Sequence, residues 1–204
     1  MNSLPANNPD WLVKKIIQMG GTISFYDYMN FVLNDPINGY YGSGKAKLGV
    51  RGDFVTSSSL SDDFAFLVGK QIEEWLIQFK SIFLSNQKLA VIEFGAGDGS
   101  FMSGLIKYLL GSSKNFLEGV SFVIIEPNEG MVKKQKNKLE EFLNIGIDIL
   151  WKGLEEVEEN NINGIVIANE VLDALPVERI TFSTEKLFRQ AVSIDKKSCT
   201  LFLD

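Results

Sequence analysis

The stretch Leu89-Ala-Val-Ile-Glu-Phe-Gly-Ala-Gly-Asp-Gly-Ser-Phe101 leaves this chain few folds to choose from. Leu89–Phe94 is mostly apolar, as a strand covered on both faces requires. Glycines at 95, 97 and 99 then remove Cβ atoms where the chain must reverse into a helix, so a ligand can approach bare backbone. Phe101, Met102, Leu105, Ile106 and Leu109 recur at helical spacing, and Gly111 offers an easy left-handed stop. Strand, glycine turn and helix make half of a βαβ nucleotide-binding unit.

The spacing of the turn narrows the ligand. A dinucleotide fingerprint wants G-x-G-x-x-G, with an acidic ribose ligand about 20 residues on. Here the glycines run G-x-G-x-G, Ser100 stands where the third fingerprint glycine would sit, and the next strand-end acid, Glu126, lies well past that interval. This spacing counts against an NAD-dependent oxidoreductase. Glu93 lies just ahead of the first glycine, and Glu93-x-Gly-x-Gly-x-Gly99 resembles motif I of the class I S-adenosylmethionine (AdoMet) methyltransferases. An ordinary ligand-free turn is the alternative, and the remaining strand ends decide between them.

A chain of 204 residues, 45% hydrophobic and 23% charged, has the size and mix of about one globular domain with a real core. Its longest apolar runs are broken within a few residues, which argues against a membrane span. A net charge of −6 and a pI near 4.9 disfavour nucleic acid and suit a basic protein or peptide partner. The single cysteine, Cys199, excludes an internal disulfide. The absence of histidine removes the commonest metal ligand, the Ser-His-Asp triad and the Cys-His pair together, so no metal site is expected. Residues 1–20 hold no arginine and too short an apolar stretch for a secretory signal. With no signal or transit peptide visible, the expected compartment is a reducing cytoplasm, or the mitochondrial matrix if the source is eukaryotic.

Along the chain, Asp10 is expected to cap a helix carrying Leu12, Val13, Ile16 and Ile17, and Thr22 or Ser24 to cap a second with Phe25, Tyr28, Met29 and Val32. Asp35-Pro36 stops that helix. From Gly39-Tyr-Tyr-Gly42 to Gly52-Asp-Phe-Val-Thr-Ser57 the sequence is rich in glycine, polar and aromatic residues, and it reads as an Ω-like surface loop or as a lid and substrate wall. Ser61 to Phe79 has helical spacing, with Phe64 and Trp75 assigned to the core. Further strands are expected at Val120–Glu126, Ile147–Trp151 and Gly164–Asn169, with one helix from the Asn128 cap through Leu143, and a hairpin of Leu187–Ile194 with Thr200–Leu203. Strands separated by helices pair in parallel through right-handed crossovers, so Leu89–Phe94 should lie between Val120–Glu126 and Gly164–Asn169, with Ile147–Trp151 outside. Glu93, Glu126, and Asn169 with Glu170 then fall at the carboxyl ends of strands, where such sheets bind ligands.

The order Ile23-Ser-Phe-x-x-Tyr-Met29, Asp35-Pro36, Gly39-Tyr-Tyr41, Gly52-Asp-Phe-Val-Thr-Ser57, Glu93-x-Gly-Ala-Gly-Asp-Gly99, Glu126, Gln135 and Asn169-Glu-x-x-Asp-Ala-Leu-Pro-Val177 is similar to the MidA-like methyltransferases. That family comprises bacterial proteins and mitochondrial protein arginine methyltransferases that assist assembly of respiratory complex I. The resemblance runs from Ile23 to Val177 and implies an α/β, Rossmann-like class I methyltransferase fold, its parallel sheet incomplete on the C-terminal side. Residues 1–80 would form a helical and loop extension serving as lid and substrate wall, and 81–204 a truncated AdoMet-binding domain.

The same resemblance implies S-adenosyl-L-methionine as cofactor, with Glu93, Gly95, Ala96, Gly97, Asp98, Glu126 and Asn169 against it. Asn169, Glu170 and Asp173 would face the acceptor, and Tyr40, Tyr41, Asp53, Phe54, Thr56 and Ser57 would line the substrate side. Asp173 reads equally as a cap on the turn that follows it. The implied substrate is a protein side chain, arginine by resemblance and a complex I subunit by the same token. Two departures stand out. Ser58-Ser59-Leu60-Ser61 replaces the family's Pro-Glu-Ile-Ser, and the later strands with their Asp-Tyr-Gly signature are missing, which suggests a fragment, a split or decayed gene product, or a shortened chain. A catalytically silent AdoMet-binding or protein-binding assembly module is the rival expectation, and in either case the chain is expected to self-associate or to need a separate C-terminal partner.

Overall fold

The computed structural model describes residues 8–49, 52–53, 55–57, 61–82, 88–112, 117–157, 163–183, 185–195 and 200–203. Helix α1 (Asp10–Gln18) buries Leu12, Val13 and Ile16. Its cap is Pro9, so Asp10 is a first-turn residue rather than the expected cap. There its carboxylate favours the helix dipole instead of bonding an amide. Strand β1 (Thr22–Ser24) leads into α2 (Phe25–Asn34), and of the two candidate caps Ser24 is the one used: its Oγ accepts from the Asp27 amide at 2.9 Å.

Helix α3 (Asp63–Ile82) presents Ala65, Gly69, Ile72 and Leu76 to the interior. Phe64 packs on the core from the side, but Trp75, expected within it, is 42% exposed. Leu76, about 100° further round the helix, takes the inward position instead. After β2 (Leu89–Phe94) come α4 (Ser100–Ser112), β3 (Val120–Ile125), α5 (Glu129–Lys138), α6 (Glu140–Asn144), β4 (Ile149–Lys152) and β5 (Gly164–Ala168). The helix expected to run unbroken to Leu143 is therefore two. Leu139, at φ −99° and ψ 5°, closes α5 with a tighter turn in which its carbonyl accepts from the Phe142 amide at 3.0 Å, and both side chains are buried by it.

Strands β2 to β5 form one parallel sheet in the order β4-β3-β2-β5, as the crossover rule requires. Its two faces are unlike. Leu89, Val91, Phe122, Ile124, Ile149 and Ile165 join a core with residues of α3, α4 and the α5–α6 pair. On the opposite face Ile92, Val123 and Ile125 make a small cluster with Ala90, Phe94 and Val157.

The C-terminal hairpin also differs from expectation. Leu187 belongs to a separate pair, β6 (Ile180–Ser183) with β7 (Lys186–Arg189), every described residue of which is exposed. Strand β8 (Ala191–Asp195) pairs antiparallel with β9 (Thr200–Leu203) on one side and with β1 on the other. Val192, Ile194 and Leu201 thereby close a second core with Leu12, Val13, Ile16 and Ile23. The partner of β8 was not legible, because a three-residue strand such as β1 is too short to be read from periodicity. Helix α3 lies on the parallel sheet, and β8–β9 pack with the N-terminal helices.

Candidate functional site

The carboxyl ends of β2, β3 and β5 converge, and the turn after β2 lies at their centre. Gly95, Gly97 and Gly99 take φ of +58°, +54° and +87°, values that side chains rarely adopt. The turn is tied on both sides: the Gly95 amide donates to the Ile125 carbonyl at 3.0 Å, and the Gly99 amide to the Ala96 carbonyl at 2.8 Å. The Asp98 carboxylate accepts from the Ser100 amide at 3.0 Å and so caps the start of α4. Ala96 is buried. A Cβ added at Gly97 would come 3.0 Å from Leu48 Cδ1, and one at Gly95 would come 3.3 Å from Val171 Cγ2. The loop after α2 and the segment after β5 therefore close on the turn from two sides.

Two strand-end acids flank the turn. Glu93 is buried, and its Oε2 has no hydrogen-bond partner among the described residues. Burial, aided by the nearby Asp98 charge, pushes its carboxyl up to about 8. Glu126 is better satisfied: Oε1 accepts from the Asn128 amide at 3.0 Å and Oε2 from Gln135 Nε2 at 3.1 Å. Burial raises its pKa, and these donors oppose the rise. A carboxylate offers about four acceptor sites, so Glu126 keeps capacity for a further donor, such as a hydroxyl.

The third strand end is looser. Asn169 is half-buried and Glu170 exposed, with Glu170 held at φ +52°, a left-handed conformation that is unusual for a side-chain residue and marks a constrained turn. Asp173 lies exposed on the one-turn helix Leu172–Ala174. None of these three side chains makes a hydrogen bond or ion pair among the described residues.

The loop beyond Asp35-Pro36 reaches over this edge. Asp35 anchors it, accepting from the Ile37 and Asn38 amides and pairing with Lys15 at 3.0 Å. Gly44 packs backbone to backbone on Gly130 at the start of α5, and Lys134 Nζ donates to the Ala46 carbonyl. Tyr40 donates to Asp53 at 2.8 Å, and its hydroxyl is pushed up to about 12 by burial and by that carboxylate. Tyr41 packs edge-on against Tyr40 at 5.0 Å. Its hydroxyl pKa is raised by burial and by the charges of Asp173 and Glu126, which draws loop, β3 end and β5 end into one neighbourhood. Thr56 is half-buried and Ser57 exposed, and Phe54 lies outside the described residues. Beside the turn a cleft of about 570 Å³ opens between Lys47, Leu48, Asp98, Lys134 and Lys138.

The residues that tie this site together were mostly not singled out from sequence. Leu48 and Val171 read as ordinary apolar positions, yet they close on the glycine turn. Gln135 appeared as one position of the family pattern, and Trp151 as a strand end. Only the fold brings Gln135 to Glu126 and Trp151 to Gln135.

An AdoMet-like ligand fits this donor set: the turn exposes backbone where Cβ atoms are missing, one buried carboxylate oxygen lacks a partner, and a second carboxylate has acceptor capacity to spare. The chain is 30% identical over 208 residues to the protein arginine methyltransferase NDUFAF7, mitochondrial, of Danio rerio, an alignment that covers 92% of this chain and 47% of that protein. The Homo sapiens protein of the same name is 30% identical over 216 residues, covering 94% and 47%. Among solved structures the chain is similar to a Burkholderia thailandensis protein described as a "likely methyl transferase" bound to S-adenosyl-homocysteine, with a TM-score of 0.74, 27% identity, and coverage of 99% of this chain and 52% of that one. The chain spans about half the length of these relatives. Residues 67–203 match the family model described as "Putative S-adenosyl-L-methionine-dependent methyltransferase", and the chain belongs to that family.

Proposed function

We propose that this chain binds AdoMet across the ends of β2 and β3 and serves transfer of its methyl group to a protein side chain, arginine by likeness to its named relatives. The observation that carries the reading is the buried Glu93 carboxylate with an oxygen lacking a partner, directly before a turn of three positive-φ glycines. In this reading Gly95, Ala96, Gly97 and Asp98 line the cofactor, Glu93 accepts from its amino-acid end, Glu126 accepts from its ribose, and Asn169 borders it. When bound, AdoMet supplies a methyl group on a sulfonium, transferred by in-line displacement. The chain's own part is to hold donor and acceptor in line and exclude water. Tyr40, Tyr41, Asp53, Thr56 and Ser57 would wall the acceptor side. Glu170 and Asp173 present carboxylates that can clamp a planar, always-charged guanidinium. A complex I subunit as the substrate rests on the resemblance alone.

A second reading, a catalytically silent AdoMet-binding or assembly module, is favoured by the exposure of Glu170 and Asp173. Calorimetry with S-adenosyl-homocysteine, and mass spectrometry of an arginine-rich protein incubated with the chain and AdoMet, separate the two. Micromolar binding with methylation is the expected result. Binding without methylation would select the silent module, and no binding would overturn both.

A further inference from the structure

Gln135 has no exposed surface, and both ends of its amide are committed. Nε2 lies 2.9 Å from the Gly97 carbonyl and 3.1 Å from Glu126 Oε2, while Oε1 accepts from Trp151 Nε1 at 3.0 Å. An indole N–H can only donate, so Trp151 decides which end of the amide faces β4. The –NH₂ end must then face the other way, where its two hydrogens meet two acceptors. Lys136 Nζ, 5.3 Å from the centre of the Trp151 ring, covers that ring. Gly99 lies alongside: a Cβ there would touch Gln135 Cα at 3.4 Å, an ordinary contact.

One nitrogen on α5 thus joins the carbonyl of the turn after β2 to the carboxylate after β3. Nothing else described bonds both. We infer that Gln135 is a positioning residue that locks Glu126 and the Gly97 carbonyl into one arrangement, with Trp151 setting the orientation of its amide. The consequence for ligand affinity rests on the AdoMet reading; the arrangement itself does not. If Glu126 receives the ribose, Gln135 sets that acceptor in register with the glycine turn.

Gln135→Met keeps the side-chain length and removes all three polar contacts. Trp151→Phe keeps Gln135 and removes only the donor that orients it. In the ligand-free chain, the Glu126 carboxyl followed by NMR should titrate at higher pH in Gln135→Met than in the parent, because a donor to its ionised form has gone. S-adenosyl-homocysteine binding, read by calorimetry, should weaken about tenfold or more in Gln135→Met and by a smaller factor in Trp151→Phe. In a Glu126→Ala background the Gln135→Met change should cost much less than it does alone, since the group being positioned is absent. An unmoved Glu126 titration, or full additivity with Glu126→Ala, would overturn the assignment. A parent chain that binds no S-adenosyl-homocysteine would sink the methyltransferase reading, and the ligand-free titration would still decide the role of Gln135. Should Gln135→Met fail to fold, Trp151→Phe carries both measurements.

Discussion

The unit from β2 to β4 and the stretch from β5 to β7 are written in similarly apolar sequence, yet they end in opposite conditions. All six residues of β3 are buried, whereas Val166 on β5 is 56% exposed and Phe182 and Leu187 on the hairpin are about 70% exposed. The difference lies in the connections. After β2 and β3 the chain runs through α4 and the α5–α6 pair, which lie back on the sheet; after β5 it offers a one-turn helix and then a hairpin whose described residues are all exposed. The site inherits this asymmetry. Glu93 and Glu126 are fixed by folding, whereas Asn169, Glu170 and Asp173 stand without side-chain partners among the described residues. A strand end supplies a functional group, but only a covering helix orients it.

If the β2–β3 half is built in advance, filling it should be the most damaging change. Gly97→Val places a β-branched side chain at φ +54° and its Cβ 3.0 Å from Leu48, so S-adenosyl-homocysteine binding should fall below detection in calorimetry. A parallel melting curve separates lost binding from lost fold. Retained binding would break the comparison at its stronger side.

The next effect is one of pH. The Glu93 carboxyl ionises at about 8 in the folded chain against a reference of 4.5, because burial disfavours the charge. Below 4.5 both states hold the proton and there is no penalty; as pH rises towards 8 the unfolded carboxyl ionises and the folded one resists. Stability should therefore decline across that window, at up to about 1.36 kcal/mol per unit and ~5 kcal/mol in all. Urea midpoints from pH 5 to 9 should slope downward for the parent and stay flatter for Glu93→Gln. Parallel profiles would show that Glu93 is hydrated in solution and its end of the site less closed. Glu126→Ala, smaller again, should weaken S-adenosyl-homocysteine binding by ~1–3 kcal/mol, since the ribose would lose its proposed acceptor.

Much of this was legible beforehand. The strand order followed from alternation of strand and helix, and the glycine turn and strand-end acids followed from spacing. What periodicity could not supply were contacts between distant segments: β1 with β8, Leu48 over Gly97, and Gln135 between two strand ends. An apolar run also says that a strand wants cover on both faces without saying what provides it. Ile165 is buried against the helices while its neighbour Val166 is bare, and the two read alike.

The smallest stability effect is expected at that bare position, and it tests the comparison from its weaker side. Strand β5 pairs with β2 along one edge, no described strand takes the other, and Val166 points away from the helix-covered face. A flat apolar edge of this kind pairs readily with another chain, and lysine is the residue that natural edges use to prevent it. Val166→Lys should therefore change the unfolding free energy by no more than about 0.5 kcal/mol, as at an ordinary surface site, while reducing self-association of the 204-residue chain. Sedimentation velocity across a concentration series, beside urea melts, reads both quantities. A loss of about 2 kcal/mol or more would mean that Val166 is covered in solution and that β5 belongs with β2 and β3 after all. An unchanged sedimentation profile at unchanged stability would place any self-association on the β6–β7 hairpin, where Phe182 and Leu187 are the substitutions to make next.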